Sequence, residues 1–261
     1  MKKAIISVTN DLLTDQRVHK HALSLLKIGY EVELIGRRKG DSQKLENRKY
    51  KTKRFKLLFE KGPAFYVEYN LRLFLYLLFI KSDLLVSNDL DTLLPNFLCS
   101  RLKNIDLVYD THEYFTGVPE LEGRTFVKNT WRLIEKTIFP KLKNVITVNN
   151  SIASLYKKEY GNKIIIIRNI PPKLNIIKPK TRNELKLPND KKIIILQGAG
   201  TNVDRGAEEA IDAMSYLHGI ILLIIGGGDS INILENKVKK AKLSDKVIFR
   251  PKMPYLDMIQ H

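Results

Sequence analysis

Short apolar runs alternate with amphipathic stretches along most of this chain. The first run, Ala4–Val8, predicts a buried strand, and Asp15–Ile28 places Val18 and Ala22 on one face of a helix that Gly29 can end. The same alternation predicts strands at Glu31–Gly36, Leu84–Ser87, Asp106–Tyr109, Val145–Val148 and Ile164–Arg168, and helices at Ala64–Ile80, Thr92–Leu102, Thr125–Lys141 and Ser151–Tyr160. Strands that alternate with helices indicate a parallel, doubly wound α/β sheet.

A segment rich in Pro, Asn and Lys, Asn169–Asp190, interrupts the alternation. Beyond it the pattern predicts strands at Lys191–Gln197, Gly219–Gly226 and Lys246–Arg250, and helices at Gly206–Leu217 and Ile231–Lys242. We therefore expect two Rossmann-like domains, residues 1–170 and 171–261. Three strands leave part of a parallel sheet uncovered, so the second domain is expected to be incomplete and the chain to be truncated at its C-terminal end.

Composition fits folded α/β domains, because 44% of the 261 residues are apolar. The single cysteine, Cys99, excludes an intramolecular disulfide and indicates a reducing, cytoplasmic setting. The most apolar segment, Ala64–Ile80, carries Glu68, Asn70 and Arg72. It is therefore predicted to be a buried or interfacial helix rather than a membrane span.

The formal net charge of +17 favours anionic partners, which include nucleic acid, anionic lipid and phosphorylated ligands. The segment Arg37–Lys61 holds eleven Lys or Arg residues against three acidic ones. Only Tyr50, Phe55 and Phe59 interleave with these cations, so nucleic-acid binding is not expected. Two interpretations of the segment stay open: a peripheral contact at the inner face of the cell membrane, and a solvated loop.

The turn after the first strand offers one candidate phosphate site. Arg17 lies in the first turn of the predicted helix, where free N–H groups and the helix dipole favour an anion. The turn has no G-x-G-x-x-G, so the dinucleotide-binding fingerprint is absent. The alternative is an ordinary capped surface helix.

Two glycine-rich turns in the second half follow predicted strands. Gly198 and Gly200 follow one strand, Arg205 and Gly206 open the next helix, and Gly227 and Gly228 follow the next strand along the chain. Glycines permit close approach of the backbone, and an arginine suits phosphate oxygens. Ligands bind at the carboxyl edge of open α/β sheets, so these turns are candidate phosphate-binding loops. The alternative is that the glycines form tight turns and nothing more.

The stretch V-Y-D-T-H-E-Y-F places Asp110, His112 and Glu113 just beyond the strand Asp106–Tyr109. Metal binding needs several convergent ligands, and one histidine without a nearby Cys or His cluster does not supply them. We therefore expect no metal here. A structural histidine and a ligand-facing histidine remain open.

These pieces, in this order, resemble the GT-B-fold retaining glycosyltransferases of family 4, the glycosyl transferase group 1 type. The resemblance runs over essentially the whole chain. It is carried by D-Q-R-V-H-K-H-A-L-S-L-L-K-I-G-Y-E-V, Y-D-T-H-E-Y-F-T-G-V-P-E-L, W-R-L-I-E-K-T-I-F-P-K-L-K-N-V-I-T-V-N, R-N-I-P, Q-G-A-G-T-N-V-D-R-G and I-I-G-G-G-D.

The resemblance implies that a nucleotide-diphosphate sugar is held mostly by the C-terminal domain. It also implies transfer of the sugar, with retention, to a glycan or lipid-linked acceptor in bacterial envelope or surface polysaccharide synthesis. No metal or resident cofactor is implied, because fixed positive groups neutralise the leaving diphosphate. His112 matches the active-site histidine near the donor sugar, Arg205 matches a basic position before the helix glycine, and Arg17 lies on the loop facing the phosphates.

Two departures from the family pattern matter. Ala199 stands where many members carry a second basic residue, and the family's Glu-x₇-Glu donor motif has no counterpart in the matching region. Glu60 and Glu68 have that spacing but lie in the other domain, so we treat them as a coincidence. We therefore expect little or no transfer by these 261 residues. Two alternatives remain: a non-catalytic binding or scaffold protein derived from a glycosyltransferase, and a binder of anionic polymers.

Overall fold

The computed structural model describes residues 1–13, 15–40, 42, 44–45, 47–171, 179–198, 206–228, 230–253 and 255–260. The chain divides into two compact units, Met1–Pro171 and Pro172–His261. In the described ranges the first unit holds a seven-stranded sheet and the second a three-stranded sheet, and the strand pairs in both are parallel. The predicted fold class, two α/β units with parallel sheets of which the second is smaller, is confirmed.

The first unit alternates strands and helices along the chain. Its elements are β1 (Lys3–Asp11), α1 (Gln16–Lys27), β2 (Glu31–Arg38), β3 (Lys51–Lys56), α2 (Gly62–Phe79), β4 (Leu84–Asn88), α3 (Leu93–Lys103), β5 (Asp106–Thr111), α4 (Thr125–Ile138), β6 (Asn144–Thr147), α5 (Asn150–Tyr160) and β7 (Ile164–Ile166). The strand order is β3-β2-β1-β4-β5-β6-β7. The order reverses between β1 and β4, and in such sheets ligands bind in the crevice beside the reversal.

Two apolar cores cover the two faces of this sheet. Ile6, Val8 and Leu34 pack with Val18 and Ala22 of α1 on one face. On the other face, buried residues of α2, α3 and α4 pack against inward side chains of β1, β4 and β5. Because both faces are covered, the central strands are nearly continuous apolar runs, which is why the sequence pattern located them.

The basic segment Arg37–Lys61 contains an element that the sequence pattern did not predict. Its residues Lys51–Lys56 form β3, an edge strand that pairs in parallel with β2, so this part of the segment is not a loop. Several of its cations have partners within the unit: Lys51 pairs with Glu31 at 2.8 Å, and Arg54 pairs with Asp11 at 3.2 Å.

The second unit repeats the alternation on a smaller scale. Its elements are β8 (Lys192–Gly198), α6 (Ala207–Ala213), β9 (Ile220–Gly226), α7 (Ile231–Lys240), β10 (Val247–Arg250) and α8 (Tyr255–Met258), with strand order β10-β9-β8. Helix α6 is shorter than the predicted Gly206–Leu217, because the chain turns at Met214–Leu217. Its buried Ala207 and Ile211 pack with Leu222, Ile224 and Leu234 of β9 and α7.

Candidate functional site

Charged residues from α1, from the turn after β4 and from the end of β5 lie at the carboxyl edge of the first sheet. Asp89 follows β4, and His112 follows β5 directly. His112 Nδ1 lies 3.0 Å from Asp89 Oδ1. Because β4 and β5 are paired neighbours at Asn88 and Asp110, the turns that follow them meet at this edge. The sequence pattern predicted that His112 lies at a strand end. Its partner Asp89 follows the adjacent strand β4, and the pattern did not indicate this contact.

Arg17 and Asp110 form a buried ion pair behind this edge. Arg17 Nε donates to Asp110 Oδ2 at 2.9 Å, and Arg17 Nη2 donates to Asp110 Oδ1. Both side chains are almost fully buried. The pair fastens α1 to β5, so the guanidinium that was predicted for a phosphate is engaged by a carboxylate. A phosphate-binding role for Arg17 stays a prediction.

His21 extends this buried cluster along α1. Its Nδ1 lies 3.3 Å from Asp110 Oδ2. Burial lowers the pKa of His21, although the charge of Asp110 raises it in part. At neutral pH His21 is therefore a neutral neighbour of the Arg17–Asp110 pair, and it adds no further charge to the site.

Asp89 adopts an unusual backbone conformation for a residue other than glycine. Its φ is 61° and its ψ is 168°. Its N–H donates to the carbonyl of Asp110 at 2.9 Å, which fixes the turn to the end of β5. Such conformations cost about 1–3 kcal/mol and concentrate at functional sites. The turn thereby aims the Asp89 carboxylate at His112.

The charge of His112 follows from this contact. Burial lowers the pKa of His112, but the hydrogen bond and charge of Asp89, together with Glu113 and Asp110, raise it to about 9. About a third of the side chain is accessible to solvent. With a pKa of about 9, His112 is an imidazolium at neutral pH, and both ring nitrogens of an imidazolium can donate a hydrogen bond.

Asp91 is a second buried acid beside Asp89. Thr9 Oγ1 donates to its Oδ2 at 2.5 Å. Burial, and next the charge of Asp89, raise the pKa of Asp91 to about 7. The stretch N-D-L-D, Asn88–Asp91, was not among the predicted site residues, although polar residues at the end of a predicted strand were the signal that singled out His112.

The second unit has a cavity at the carboxyl edge of its own sheet. Its volume is about 370 Å³, and it is lined by Gly226, Gly227, Gly228, Ile231, Glu235, Phe249, Arg250, Pro251 and Lys252. Gly228 has φ 139°, a conformation that side chains rarely adopt. Arg250 donates to the carbonyl of Leu185 at 3.1 Å, whereas Lys252 is exposed. The predicted loop residues Gly227 and Gly228 thus border a cleft with basic groups.

The other glycine-rich turn is described in part. Gly198 ends β8, and a Cβ placed there would meet open space. Gly206 is the N-terminal cap of α6 with φ 84°, so this position favours glycine for conformational reasons. Gly200 and Arg205 lie outside the described residues. Among the described residues, no group of three or more His, Cys, Asp or Glu is arranged to hold a metal ion.

Solved structures with the same fold are GT-B proteins. Sucrose-phosphate synthase from Thermosynechococcus elongatus has a TM-score of 0.75 at 18% identity, covering 100% of this chain and 73% of its own. Anabaena HepE, in complex with UDP-glucose, has a TM-score of 0.67 at 13% identity, covering 100% and 71%. UDP-N-acetylglucosamine 2-epimerase from Rickettsia bellii has the same TM-score, identity and two coverages. The fold is therefore shared with a sucrose-phosphate synthase and with an epimerase, and by itself it does not decide an activity.

The family of this chain is identified from its sequence. Residues 15–170 match the profile of Glycosyltransferase Family 4. The match covers more than half of the chain, and the chain belongs to this family. No curated protein matches the sequence.

Proposed function

We propose that this protein transfers a sugar from a nucleotide-diphosphate sugar to an acceptor with retention of anomeric configuration. The observation that carries the proposal is His112, held as an imidazolium by Asp89 at the carboxyl edge of the sheet. An imidazolium beside a donor sugar hydrogen-bonds a sugar oxygen and stabilises negative charge on the departing diphosphate. Membership of Glycosyltransferase Family 4 favours transfer over epimerisation.

The donor is proposed to bind the second unit. The cavity beside Gly227 and Gly228 lets a ligand approach the backbone closely, and Lys252 supplies a cation for phosphate oxygens. The solved complex of HepE with UDP-glucose supports a UDP-sugar as the first donor to test. In this proposal the nucleotide sugar is a substrate and no resident cofactor or metal takes part, because cationic side chains and helix N-termini neutralise the diphosphate.

The acceptor is proposed to be a glycan or a lipid-linked glycan of a bacterial envelope or surface polysaccharide. This assignment rests on the family resemblance and on the strongly basic chain, which suits an acceptor presented at an anionic surface. We propose a cytoplasmic location, and contact of Arg37–Lys61 with the inner face of the cell membrane is one of the two interpretations of that segment. Lys51 and Arg54 pair with carboxylates within the first unit, so fewer cations of that segment remain available for contact with a membrane. Among the described residues, no helix has the length and apolarity that a membrane span requires.

Calorimetric titration with UDP and UDP-glucose tests the donor assignment. Binding is the primary readout, because it reports on the donor site without any need for turnover. Lys252→Ala is expected to weaken UDP binding by about tenfold, the loss of one charge-assisted contact. Lys240→Ala, an exposed lysine at the end of α7, is the matched control and should leave affinity unchanged. Equal affinities for Lys252→Ala and the unmodified chain would remove the donor site from this cavity.

A further inference from the structure

Helix α4 carries a carboxylate that the fold buries completely. Glu135 is 0% exposed. Three hydroxyl groups donate to it: that of Tyr156 to Oε1 at 3.2 Å, and those of Thr116 and Tyr160 to Oε2 at 3.2 Å and 3.0 Å. Burial raises the pKa of Glu135, and these hydrogen bonds lower it in part. Burial of a carboxyl group costs free energy unless hydrogen bonds compensate it, and the three hydroxyl groups provide that compensation.

The hydroxyl of Tyr156 connects this buried carboxylate to the segment that carries His112. It lies 3.1 Å from Thr111 Oγ1 and 3.3 Å from the carbonyl oxygen of Glu113. The N–H of Phe115 donates to it at 3.4 Å. Thr111 Oγ1 in turn donates to the carbonyl of Glu113 at 2.8 Å. The residues on both sides of His112 are therefore held by one cluster of hydroxyl groups.

Packing fixes the ring of Tyr156, and Glu135 directs its hydroxyl. The side chains of Tyr156 and Phe139 are both fully buried, and their rings stack with centroids 4.7 Å apart at 18°. A phenol has one proton to donate, and a carboxylate is a stronger acceptor than a carbonyl or a hydroxyl oxygen. With its proton directed at Glu135, the hydroxyl of Tyr156 can accept from the N–H of Phe115.

The contact of His112 with Asp89 depends on this support. Strand β5 ends at Thr111, so strand pairing does not hold the chain at His112 itself. Its Nδ1 lies 3.0 Å from Asp89 Oδ1, and a shift of about 1 Å would take the pair beyond hydrogen-bond distance. Burial lowers the pKa of His112, and Asp89, ahead of Glu113 and Asp110, raises it to about 9. Loss of the contact would therefore lower this pKa.

We propose that Tyr156 is a positioning residue that holds His112 in contact with Asp89. Glu135 acts behind it by directing the hydroxyl of Tyr156. Both side chains are buried, so neither is expected to touch a donor or an acceptor. This role rests on the proposed function, because it matters for sugar transfer only through His112.

Tyr156→Phe tests this role, since phenylalanine keeps the ring that stacks on Phe139 and removes the hydroxyl. Tyr160→Phe is the matched control: the Tyr160 ring also stacks on Phe139, at 4.6 Å, and its hydroxyl donates to the same carboxylate of Glu135. Long-range ¹H–¹⁵N spectra of the histidine rings of the full chain, from pH 5 to pH 10, measure the titration of His112. Its pKa should fall from about 9 toward 6.5 in Tyr156→Phe and should stay at about 9 in Tyr160→Phe.

Thr111→Val provides a second variant. Valine has nearly the shape of threonine and lacks the hydroxyl that donates to the carbonyl of Glu113, so the pKa of His112 should shift in the same direction. This variant decides the question where circular dichroism shows that Tyr156→Phe does not fold.

Two results would overturn the role of Tyr156. One is an unchanged titration of His112 in folded Tyr156→Phe, or in Thr111→Val where the first variant does not fold. The other is an equal fall of the pKa of His112 in Tyr156→Phe and Tyr160→Phe, which would assign the effect to a general loosening around Glu135. These spectra need neither nucleotide nor turnover, and calorimetry with UDP tests the proposed function separately, so the two failures are distinguishable.

Discussion

Asp89 controls the charge of His112, and the substitution Asp89→Asn tests that dependence. Asparagine has nearly the same shape as aspartate, and the bond from the N–H of residue 89 to the carbonyl of Asp110 does not depend on the side chain, so the turn after β4 is expected to persist. The substitution removes the negative charge that lies 3.0 Å from His112 Nδ1. The remaining influences on the pKa of His112 are burial, which lowers it, and Glu113 and Asp110, which raise it.

The expected change is large enough to measure. The pKa of His112 should fall from about 9 toward its ordinary value of 6.5. At pH 7.5 an imidazole with a pKa of about 9 is ~97% protonated, whereas one with a pKa of 6.5 is ~9% protonated. Because the pKa of His112 is higher in the folded state than in the unfolded state, the folded state keeps a proton that the unfolded state releases between these two pKa values. The stability that it contributes is complete below about pH 6.5 and is lost as the pH rises through 9.

Long-range ¹H–¹⁵N spectra of the histidine rings, recorded from pH 5 to pH 10, measure this titration without any need for turnover. Asp106→Asn is the control, since Asp106 is exposed at the amino end of β5, on the opposite edge of the sheet from His112. Asp106→Asn should leave the titration of His112 unchanged. If His112 titrates at the same pH in Asp89→Asn as in the unmodified chain, the carboxylate does not set its charge and the reasoning is refuted.

Two further predictions concern the buried charges of this edge. Arg17→Ala leaves Asp110 buried without its main cation and should lower the free energy of unfolding in urea by about 3–5 kcal/mol; an unchanged midpoint would contradict the ion pair. Asp91 has a pKa of about 7, whereas its ordinary value is 3.8. Its ionisation therefore lowers the free energy of unfolding as the pH rises through the range between these two values. Asp91→Asn should remove that cost, on the order of a few kcal/mol at pH 8, and should change little at pH 4. An unaltered pH dependence of unfolding would refute this assignment.

The sequence by itself determined the fold class and the order of most elements. Buried strands such as β1 and β9 are continuous apolar runs, and amphipathic segments such as α1 alternate with them, so local periodicity was sufficient. The same pattern failed for β3, whose sequence K-T-K-R-F-K has one buried residue, Phe55. An edge strand gains its hydrogen bonds from one neighbour and needs little apolar surface, and it therefore leaves a weak signal in the sequence.

The sequence predicted where the candidate site lies along the chain, and the tertiary structure decided which side chains contact each other there. The strand end at His112 was visible in the sequence, but its partner Asp89 lies at the end of a different strand. Arg17 and Asp110 are 93 positions apart, and nothing local to either residue indicated that the guanidinium would be buried against a carboxylate. Periodicity reports which residues of one segment share a face. The charge of a histidine or an acid depends on burial and on partners that only the folding of distant segments brings together.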